Sequence, residues 1–527
     1  MLSGLDPTSP MKNRFDVVIL GGALSGAATA ILLLRDLPSL RILIVEKSAT
    51  FSRRVGEATV EVSTYFLTHS LGLTRHLNQS HINKNGLRFW FANERTRSLE
   101  DCSEIGGKYL SRVPAYLVDR AVLDEEVLLR AQNLGAKILR PATAQKVELV
   151  SGGEQIVTVQ CAETVEKISA RWVIDASGVT AFLARQNHWL RPNTNHPTTA
   201  LWSRWKNVKD FDDSALAKKF PKWATHCFGV RGTATNHLMG DGWWAWWIPL
   251  QDGDVSIGVT FDQRLVDFPT EGSLGERLKT FLLQHPVARE LMSDAEWIEG
   301  DIHWRKNLSY TSTTFAGDGF ALVGDAGAFL DPFYSPGMDW ISYTSVRAKE
   351  LILAQQRGGP IEEMISSLNQ DFAKSYQRWF EAIYRDKYEY FGDYDLLKTA
   401  FLLDLGFYYL GIAAQPFQRG EKALTEPPFS TPVSTPFYWF MRAYNRRFAQ
   451  MARSRRARGR LGVNNDRQRF MFGGYTFAPS SAIPIVKAIV QWFFLELSEG
   501  WRTWFRPLPV KPSEVSPVAA SAKTALP

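Results

Sequence analysis

The chain has 527 residues, 45% of them hydrophobic, so it is too long for one small domain and apolar enough to pack large cores. Its formal net charge of +7 comes from 61 basic and 54 acidic residues spread along the chain, which argues against a nucleic-acid-binding protein. The one local excess, the arginine-rich stretch 442–469, is typical of a solvated face and also fits anionic lipid or an acidic carrier protein.

The cysteines and the start of the chain indicate the compartment. Cys102, Cys161 and Cys227 form neither a metal-ligand pattern nor a disulfide framework, so we expect no metal site and a reducing, cytoplasmic setting. The residues before Arg14 lack the basic and apolar regions of a signal peptide. Two apolar stretches, residues 396–414 and 485–497, are interrupted by charged side chains, so neither is expected to cross a membrane.

The first predicted elements form a βαβ unit. Apolar runs at 15–20 and 41–45 flank an alanine- and leucine-rich stretch at 27–35. The glycines that follow the first strand allow a tight turn and let backbone N–H groups reach a pyrophosphate, and an acid that ends the second strand binds ribose. We therefore predict a dinucleotide site in which Ala23 replaces the usual middle glycine. Its residues are Gly21, Gly22, Ala23, Ser25, Gly26, Glu46 and Lys47.

Farther along, the pattern changes from helix and hairpin to a sheet and then to helices. A helical pattern covers residues 121–134, and residues 147–165 alternate in part, as hairpin strands do. Residues 200–261 are rich in tryptophan and alternate, which predicts an antiparallel sheet. Helical patterns return from residue 337 onward, so the last third of the chain is predicted to be mainly helical.

Four short segments carry a family resemblance. They read V-G-E-A-T at 55–59, V-D-R-A-V-L-D at 118–124, W-V-I-D-A-S-G at 172–178 and A-L-V-G-D-A-G-A-F-L-D-P at 321–332. The first two, taken singly, also suit a polar loop or a helix start. With the glycine turn, the set resembles the FAD-dependent monooxygenase and halogenase superfamily, which implies bound FAD. The resemblance adds these residues to the cofactor site: Gly56, Glu57, Ala58, Thr59, Arg120, Asp175, Gly178, Gly324, Asp325, Pro332, Gly337 and Met338.

This resemblance and the element pattern together predict an α/β fold. We expect a Rossmann-like FAD-binding domain of the glutathione-reductase type, formed by residues 14–195 and 300–358. An antiparallel-sheet substrate region is expected at 196–299 and a mainly helical C-terminal part at 359–506. Residues 507–527, rich in Pro, Ala and Ser, are predicted to be disordered.

Two segments resemble the flavin-dependent halogenases in particular. The run W-A-W-W-I-P matches the halogenase W-x-W-x-I-P motif, whose rings are implied to obstruct direct reaction of substrate with the flavin. Lys84, in K-N-G-L-R-F, resembles the essential halogenase lysine, and a lysine facing a pocket can hold an electrophilic hypohalous species. The alternative interpretations are an aromatic sheet that packs a core and a surface lysine at a strand start. The matching motif residues are Trp244, Trp246, Ile248 and Pro249.

One segment departs from the halogenase pattern. Halogenases bind halide through successive backbone N–H groups of a segment resembling S-T-G, whereas this chain has Ser335, Pro336 and Gly337, and proline has no N–H. The N–H groups of Gly337 and Met338, at a helix start, can still form an anion nest, so we assign the halide to them. Tyr334 replaces a glutamate of the tryptophan-specific halogenases, so free tryptophan is not the expected substrate.

The resemblance implies a halogenase that uses FADH2, O2 and halide, with its reduced flavin delivered by a separate flavin reductase. A flavin peroxide would oxidise chloride or bromide to hypohalous acid, and Lys84 would direct this electrophile to an electron-rich aromatic or conjugated substrate, carrier-bound or lipophilic. A monooxygenase or dehydrogenase of the same fold, for which Pro336 is no handicap, is one alternative. A non-catalytic flavoprotein with a membrane or partner surface is another.

The end of the chain carries an apolar helix pattern. Its spacing gives one apolar face, with aromatic residues beyond it. This pattern fits a helix packed on the main body, or an interfacial helix that holds a cytoplasmic protein on the inner face of a membrane. The residues concerned are Val486, Ile489, Val490, Phe493, Leu497, Trp501, Trp504 and Phe505.

Overall fold

The structure is a computed structural model that describes residues 14–505. The predictions about the start of the chain and about residues 507–527 lie outside the described residues. The strands are β1 Arg14–Leu20, β2 Ile42–Val45, β3 Ile82–Asn83, β4 Leu87–Phe91, β5 Ser103–Gly107, β6 Tyr116–Leu117, β7 Lys137–Leu139, β8 Thr143–Glu148, β9 Gln155–Cys161, β10 Thr164–Asp175, β11 Leu190–Pro192, β12 Thr198–Lys206, β13 Thr235–Gly240, β14 Trp243–Pro249, β15 Val255–Asp262, β16 Glu296–Trp297, β17 His303–Lys306, β18 Tyr310–Ser312, β19 Ala316–Gly317, β20 Phe320–Leu322, β21 Ala328–Phe329 and β22 Arg469–Phe472.

Helices cover the sheets and form most of the C-terminal third. Several of them continue into short 3₁₀ or π turns, such as Phe380–Tyr384 and Tyr408–Ala413. The α-helices are α1 Leu24–Asp36, α2 Glu61–Tyr65, α3 Thr74–Ser80, α4 Arg120–Asn133, α5 Phe182–Gln186, α6 Ser214–Lys219, α7 Pro221–Ala224, α8 Leu274–Leu282, α9 Pro286–Leu291, α10 Gly337–Gln356, α11 Glu362–Trp379, α12 Tyr394–Phe407, α13 Ala414–Arg419, α14 Thr435–Ala457 and α15 Ala482–Ser498.

An eight-stranded sheet contains the predicted βαβ unit. Its main path runs β19-β20-β10-β1-β2-β7, and β1 lies parallel to both β2 and β10. The second half of β1, residues 17–20, is apolar without alternation because helices cover both faces of a parallel sheet, and Val17, Val18 and Ile19 are fully buried. The βαβ unit and the Rossmann-like α/β class predicted from the sequence are therefore confirmed.

A nine-stranded sheet forms the second half, in the order β16-β12-β15-β14-β13-β4-β5-β22, with β17 paired to β12. Most pairings are antiparallel, as predicted, but β13 with β4 and β5 with β22 are parallel. The sheet draws on a wider span than residues 196–299, because β4 and β5 come from the N-terminal segment and β22 from the C-terminal one. The substrate region is thus interleaved with its neighbours in sequence.

The C-terminal part is mainly helical apart from β22. Two of its helical segments, Tyr394–Arg419 and Pro479–Ser498, are long and apolar enough to cross a membrane, in spite of the charged residues within them. The first is 61% buried inside the protein, and the second is only 17% buried. Packing therefore accounts for the hydrophobicity of the first segment and leaves most of the second uncovered.

Candidate active site

The turn between β1 and α1 is too tight for side chains at its glycines. Gly21 has a φ of +106°, and a Cβ there would lie 2.5 Å from the carbonyl oxygen of Ala176. A Cβ on Gly26 would lie 1.9 Å from the carbonyl oxygen of Gly21. Ala23 precedes α1 in an extended conformation that accepts its methyl group. The turn therefore brings the positive end of a 13-residue helix against the strand, as a pyrophosphate requires.

Glu46 closes β2 beside this turn, while the side chain of Lys47 is exposed. The Glu46 carboxylate accepts hydrogen bonds from the backbone N–H of Gly22 at 2.7 Å and of Ser48 at 2.8 Å. Its position at the end of the second strand is where a ribose hydroxyl is bound in dinucleotide folds. The geometry of the turn and of Glu46 fits the adenosine end of a dinucleotide.

Asp175, at the end of β10, is committed to the protein itself. Its carboxylate accepts hydrogen bonds from the backbone N–H of Ser177 at 3.0 Å and of Leu183 at 2.7 Å. Burial raises the pKa of this carboxyl, and these hydrogen bonds oppose the rise. The side chain that lines the nearby cavity is Val179, one residue after Gly178. Asp175 thus shapes the turn that the D-A-S-G motif forms.

A large cavity lies against the nine-stranded sheet and brings most of the remaining predicted cofactor residues together. It encloses about 1290 Å³ of empty space, including its open mouth. The lining residues come from the loop after β2, the start of α4, strand β14, and the turn that leads into α10. The predicted residues along it are Gly56, Glu57, Ala58, Arg120, Trp244, Trp246, Ile248, Asp325, Pro332, Gly337 and Met338.

Two charged groups mark one end of this cavity. Burial raises the pKa of Asp325 to about 6, and the guanidinium groups of Arg120 and Arg305 oppose that rise. Arg120 pairs with Asp124 at 3.0 Å and occupies the space next to Gly56, where a Cβ would lie 2.7 Å from its Nη1. The Asp325 carboxylate, a strong acceptor facing the cavity, fits a sugar-like hydroxyl chain. Arg305 was not identified from the sequence, since a single arginine in β17 carries no motif.

Glu57 lies in a buried ion pair. Its carboxylate lies 2.9 Å from Nη2 of Arg204. The other terminal nitrogen of Arg204, Nη1, lies 3.1 Å from the carboxylate of Asp301. Burial raises the pKa of Glu57, and the charge of Arg204 opposes this rise. The pair ties the loop at 55–59 to strand β12 and so fixes the wall of the cavity.

The tryptophan motif lies on β14 with alternate residues on opposite faces. Trp244, Trp246 and Ile248 face the large cavity, whereas Trp247 belongs to a separate hydrophobic core behind the sheet. Trp244 donates a hydrogen bond to the hydroxyl of Tyr388 at 3.0 Å, and Trp246 donates one to Ser256 Oγ at 3.2 Å. These bonds hold both indole rings in fixed orientations. Pro249, at the end of the strand, is not among the lining residues.

Lys84 faces a second cavity, which encloses about 1020 Å³ of empty space. The lysine is 3% exposed, and its Nζ donates a hydrogen bond to the carbonyl oxygen of Thr59 at 2.8 Å. Burial lowers the pKa of this amine to about 8, although the acids Glu61 and Asp339 favour its charged form. The structure therefore does not support the alternative of a surface lysine.

Glu61 and Asp339 line the same cavity and were not identified from the sequence. Asp339 accepts hydrogen bonds from the backbone N–H of Ser63 at 2.8 Å and from the hydroxyl of Tyr408 at 3.3 Å. Burial raises its pKa to about 7. Glu61 accepts a hydrogen bond from the hydroxyl of Tyr409, and burial raises its pKa as well. Lys84 therefore shares its cavity with Glu61 and Asp339, two carboxyl groups whose pKa values burial raises, and Asp339 can bind a proton near neutral pH.

Pro336 lines both cavities and stands between them. It precedes Gly337, the first residue of α10, and follows two residues with left-handed backbones, Tyr334 at φ +66° and Ser335 at φ +56°. Gly337 and Met338 lie on the large-cavity side of this helix start, where the first-turn N–H groups have no partner within the helix. The anion nest expected at Gly337 and Met338 therefore stays a prediction, and Pro336 forms part of the wall beside it.

Tyr334 also lines the Lys84 cavity, and its hydroxyl belongs to a polar network around Asp404, which lines the same cavity. That hydroxyl donates to Asp404 at 3.1 Å, and Asp404 is paired with Lys387 and accepts a hydrogen bond from Tyr444 at 2.6 Å. Its ring, together with Phe401 and other rings, therefore forms an apolar wall.

Comparisons with known proteins point to one family. The tryptophan halogenase family model matches residues 16–104 and 103–389, together more than half of the chain. The flavin-dependent halogenase chlA of Dictyostelium discoideum is 26% identical over 363 residues, which cover 63% of this chain and 58% of that protein, less than two thirds of its length. The 1H-pyrrole-2-carbonyl-(peptidyl-carrier protein) chlorinase of Pseudomonas fluorescens is 26% identical over 418 residues, 74% of this chain and 86% of that protein.

Solved structures show the same fold. The halogenase PltM superimposes with a TM-score of 0.70 at 19% identity, over 91% of this chain and 97% of that one. A PltM variant in complex with FAD superimposes with a TM-score of 0.71 at 20% identity.

Proposed function

Because this chain belongs to the flavin-dependent halogenase family, we propose that it halogenates an electron-rich aromatic or conjugated ring with chloride or bromide, using reduced FAD and O2. The observation that carries the proposal is the buried ammonium group of Lys84 in a cavity separated by Pro336 from the cavity that fits the flavin. A small electrophile can therefore be made on one side and used on the other.

The residues described above fit an FAD molecule along its whole length. The glycine turn and Glu46 would hold the adenosine diphosphate end, and Asp325 with Arg120 would hold the ribityl end. When bound, reduced FAD together with O2 supplies the oxidation of halide to a hypohalous species. The N–H groups of Gly337 and Met338, at the positive end of the 20-residue helix α10, would hold the halide anion.

Lys84 would then position the electrophile. Its ammonium group can donate a hydrogen bond to the oxygen of hypohalous acid, which polarises the oxygen–halogen bond toward the ring. The ring carbon attacks the halogen, the oxygen takes a proton from the Lys84 ammonium and leaves as water, and the ring becomes a cation. This chemistry needs the protonated amine, and with a pKa of about 8 Lys84 is mostly charged at pH 7.

Asp339 and Glu61 would complete the reaction. Loss of the ring proton restores aromaticity, and a carboxylate close to the lysine is a suitable acceptor. Asp339, whose pKa is raised to about 7, is poised to take that proton near neutral pH. The acid left behind can return the proton to Lys84, so the lysine is restored for the next turnover.

The lining of the Lys84 cavity indicates the class of substrate. Among its described residues, Lys84 is the only basic side chain, and most of the others are aromatic or aliphatic. A substrate that carries a carboxylate or phosphate would find no second cation in the cavity to pair with its charge. An uncharged, lipophilic ring such as a phenol or a pyrrole therefore fits best. The ring can arrive free or attached to a carrier protein, as the name of the Pseudomonas relative says of that enzyme.

The proposal also covers the source of the reduced flavin and the cellular compartment. We propose a separate flavin reductase as the source of reduced FAD and the cytoplasm as the compartment, since the free cysteines Cys102, Cys161 and Cys227 suit a reducing setting.

The test is turnover of the FAD-loaded protein with a flavin reductase, O2 and either bromide or chloride, offered free phenols in one arm and carrier-bound rings in the other. We expect halogenated product from the wild type and none from Lys84→Ala, which should keep its FAD. Monochlorodimedone added to the variant should still trap hypohalous acid, because the flavin cavity is intact. Hydroxylated product that forms without halide would replace the proposal with a monooxygenase.

A further inference from the structure

Helix α15 and the turn after it leave a row of large apolar side chains uncovered. Their exposed fractions lie between 47% and 91%, far above those of core residues. A monomeric protein rarely leaves so many large apolar side chains together at its surface. We call them the C-terminal apolar face: Ile483, Val486, Val490, Phe493, Phe494, Leu497, Trp501, Trp504 and Phe505.

The opposite side of α15 is packed and anchored. Ile485 packs closely against Gly406 of α12. A Cβ added to Gly406 would lie 2.2 Å from Cγ1 of Ile485. Trp492 contacts the ring of Phe440 with a centroid distance of 5.6 Å. These contacts hold α15 flat on the body of the protein, and the helix cannot cross a membrane while they last.

The acids of this segment are neutralised on the packed side. Glu496 pairs with Arg447 at 2.8 Å and also accepts hydrogen bonds from the indoles of Trp492 and Trp504. Glu499 is paired with Arg455. The charged side chains that stay exposed between residues 482 and 505 are Lys487 and Arg502, both cationic.

We propose that the C-terminal apolar face docks the protein on the surface of a membrane that contains anionic lipid, with α15 lying in the plane of the interface. Apolar side chains, tryptophans and flanking cations are the combination that binds a lipid interface. A second copy of this chain would not need the cations, and residues 506–527 contain no aromatic residue to cover the face. The proposal does not depend on the halogenation proposed above.

The position of α15 gives this docking a use. Phe401, Leu405 and Tyr408 of the segment beneath it line the Lys84 cavity, and Gly406 contacts α15. The cavity thus lies one helix layer from the docking face, so a lipophilic ring dissolved in the membrane would have a short path to it.

The experiment is flotation of the FAD-loaded full chain with vesicles of phosphatidylcholine alone or with added phosphatidylglycerol. We expect binding to the anionic vesicles, and a loss of about a hundredfold in partition for the triple variant Phe493→Gln, Phe494→Gln, Leu497→Gln. The matched control replaces three exposed apolar residues elsewhere, Leu129→Gln, Val150→Gln and Val165→Gln, and should bind like the wild type. Flavin absorbance and melting temperature check that each variant is folded.

The charge contribution is tested with Lys487→Glu and Arg502→Glu, which should weaken binding to anionic vesicles about tenfold or more. The proposal is overturned if the wild-type chain binds neither kind of vesicle. A wild-type dimer that the triple variant converts to monomers overturns it too, since a second copy would then be the occupant. Vesicle binding that appears only after residues 506–527 are removed also overturns it, because that segment would then cover the face.

Discussion

Replacing Lys84 with methionine should abolish arene halogenation and at the same time stabilise the fold near pH 7. Methionine has a similar length and no charge, so it fills the same space against Thr59. The wild-type chain buries an ammonium group whose pKa falls from its ordinary value of 10.5 to about 8. That fall corresponds to a cost of about 3 kcal/mol for keeping the group charged in the folded state.

The variant also loses one hydrogen bond, from Lys84 Nζ to the carbonyl oxygen of Thr59 at 2.8 Å. Such a bond contributes about 1 kcal/mol. The expected net gain in stability at pH 7 is therefore about 2 kcal/mol. For a chain of this length the unfolding entropy converts that gain to a rise in Tm of roughly 2 °C.

The pH dependence identifies the cause. The folded chain gives up the lysine proton at about pH 8, whereas the unfolded chain holds it until about pH 10.5. The cost is therefore fully present below pH 8 and fades as the pH rises from 8 to 10.5. Melting curves of the FAD-loaded proteins at pH 7 and pH 10 should show the advantage of Lys84→Met disappearing at the higher pH. Lys218→Met, a change at an exposed lysine of α6, is the control and should melt like the wild type at both. If Lys84→Met melts below the wild type by the same amount at both pH values, the ammonium is not desolvated and the argument fails.

Three other changes test the rest of the site. Asp339→Asn should lower kcat/KM about a hundredfold and remove the fall in activity below pH 7. It should also move the fall in activity above pH 8 to lower pH, because the charge of Asp339 supports the protonated form of Lys84. A pH profile with the wild-type shape would exclude this role for Asp339. Asp325→Ala should yield colourless protein, measured by flavin absorbance, and a variant that stays yellow would remove Asp325 from the cofactor site. Gly258→Ala should cost about 1 to 3 kcal/mol, because the new Cβ would lie 2.3 Å from Trp246 and 2.4 Å from Trp202. Gly473→Ala, which has open space around it, is the melting control for that change, and equal loss in both variants would contradict the packing argument.

Local patterns predicted the parts of the site that lie within one segment. The glycine turn and Glu46 belong to β1, α1 and β2, which follow one another in the chain. The shape of the turn could therefore be predicted from the spacing of the glycines and the acid in the sequence. The faces of β14 follow from the alternation of a strand, which puts Trp244 and Trp246 on one side and Trp247 on the other.

The parts that depend on distant segments were missed. Glu61 and Asp339 are more than 250 positions apart in the chain and meet only because α10 and α2 pack together. Arg204 and Arg305 carry no motif, and their roles appear only once β12 and β17 are placed beside the cavity. The boundaries of the sheet region were missed for the same reason, since β4 and β22 join it by long-range parallel pairing that leaves no local signal.

The position of Pro336 between the two cavities bears on how they would share the proposed reaction. Under the proposed function, a halide ion in the Lys84 cavity would lose its hydration and face the carboxyl groups of Glu61, Asp339 and Asp404, so we expect it to stay near the N–H groups at the start of α10. Hypohalous acid is small and neutral, and it can cross to Lys84 without that cost. The missing N–H of Pro336 would weaken the proposed halide site by one donor, but the proline ring keeps this part of the boundary between the cavities apolar. In the proposed mechanism, retention of halide on one side and passage of the neutral acid to the other would then follow from one difference in charge.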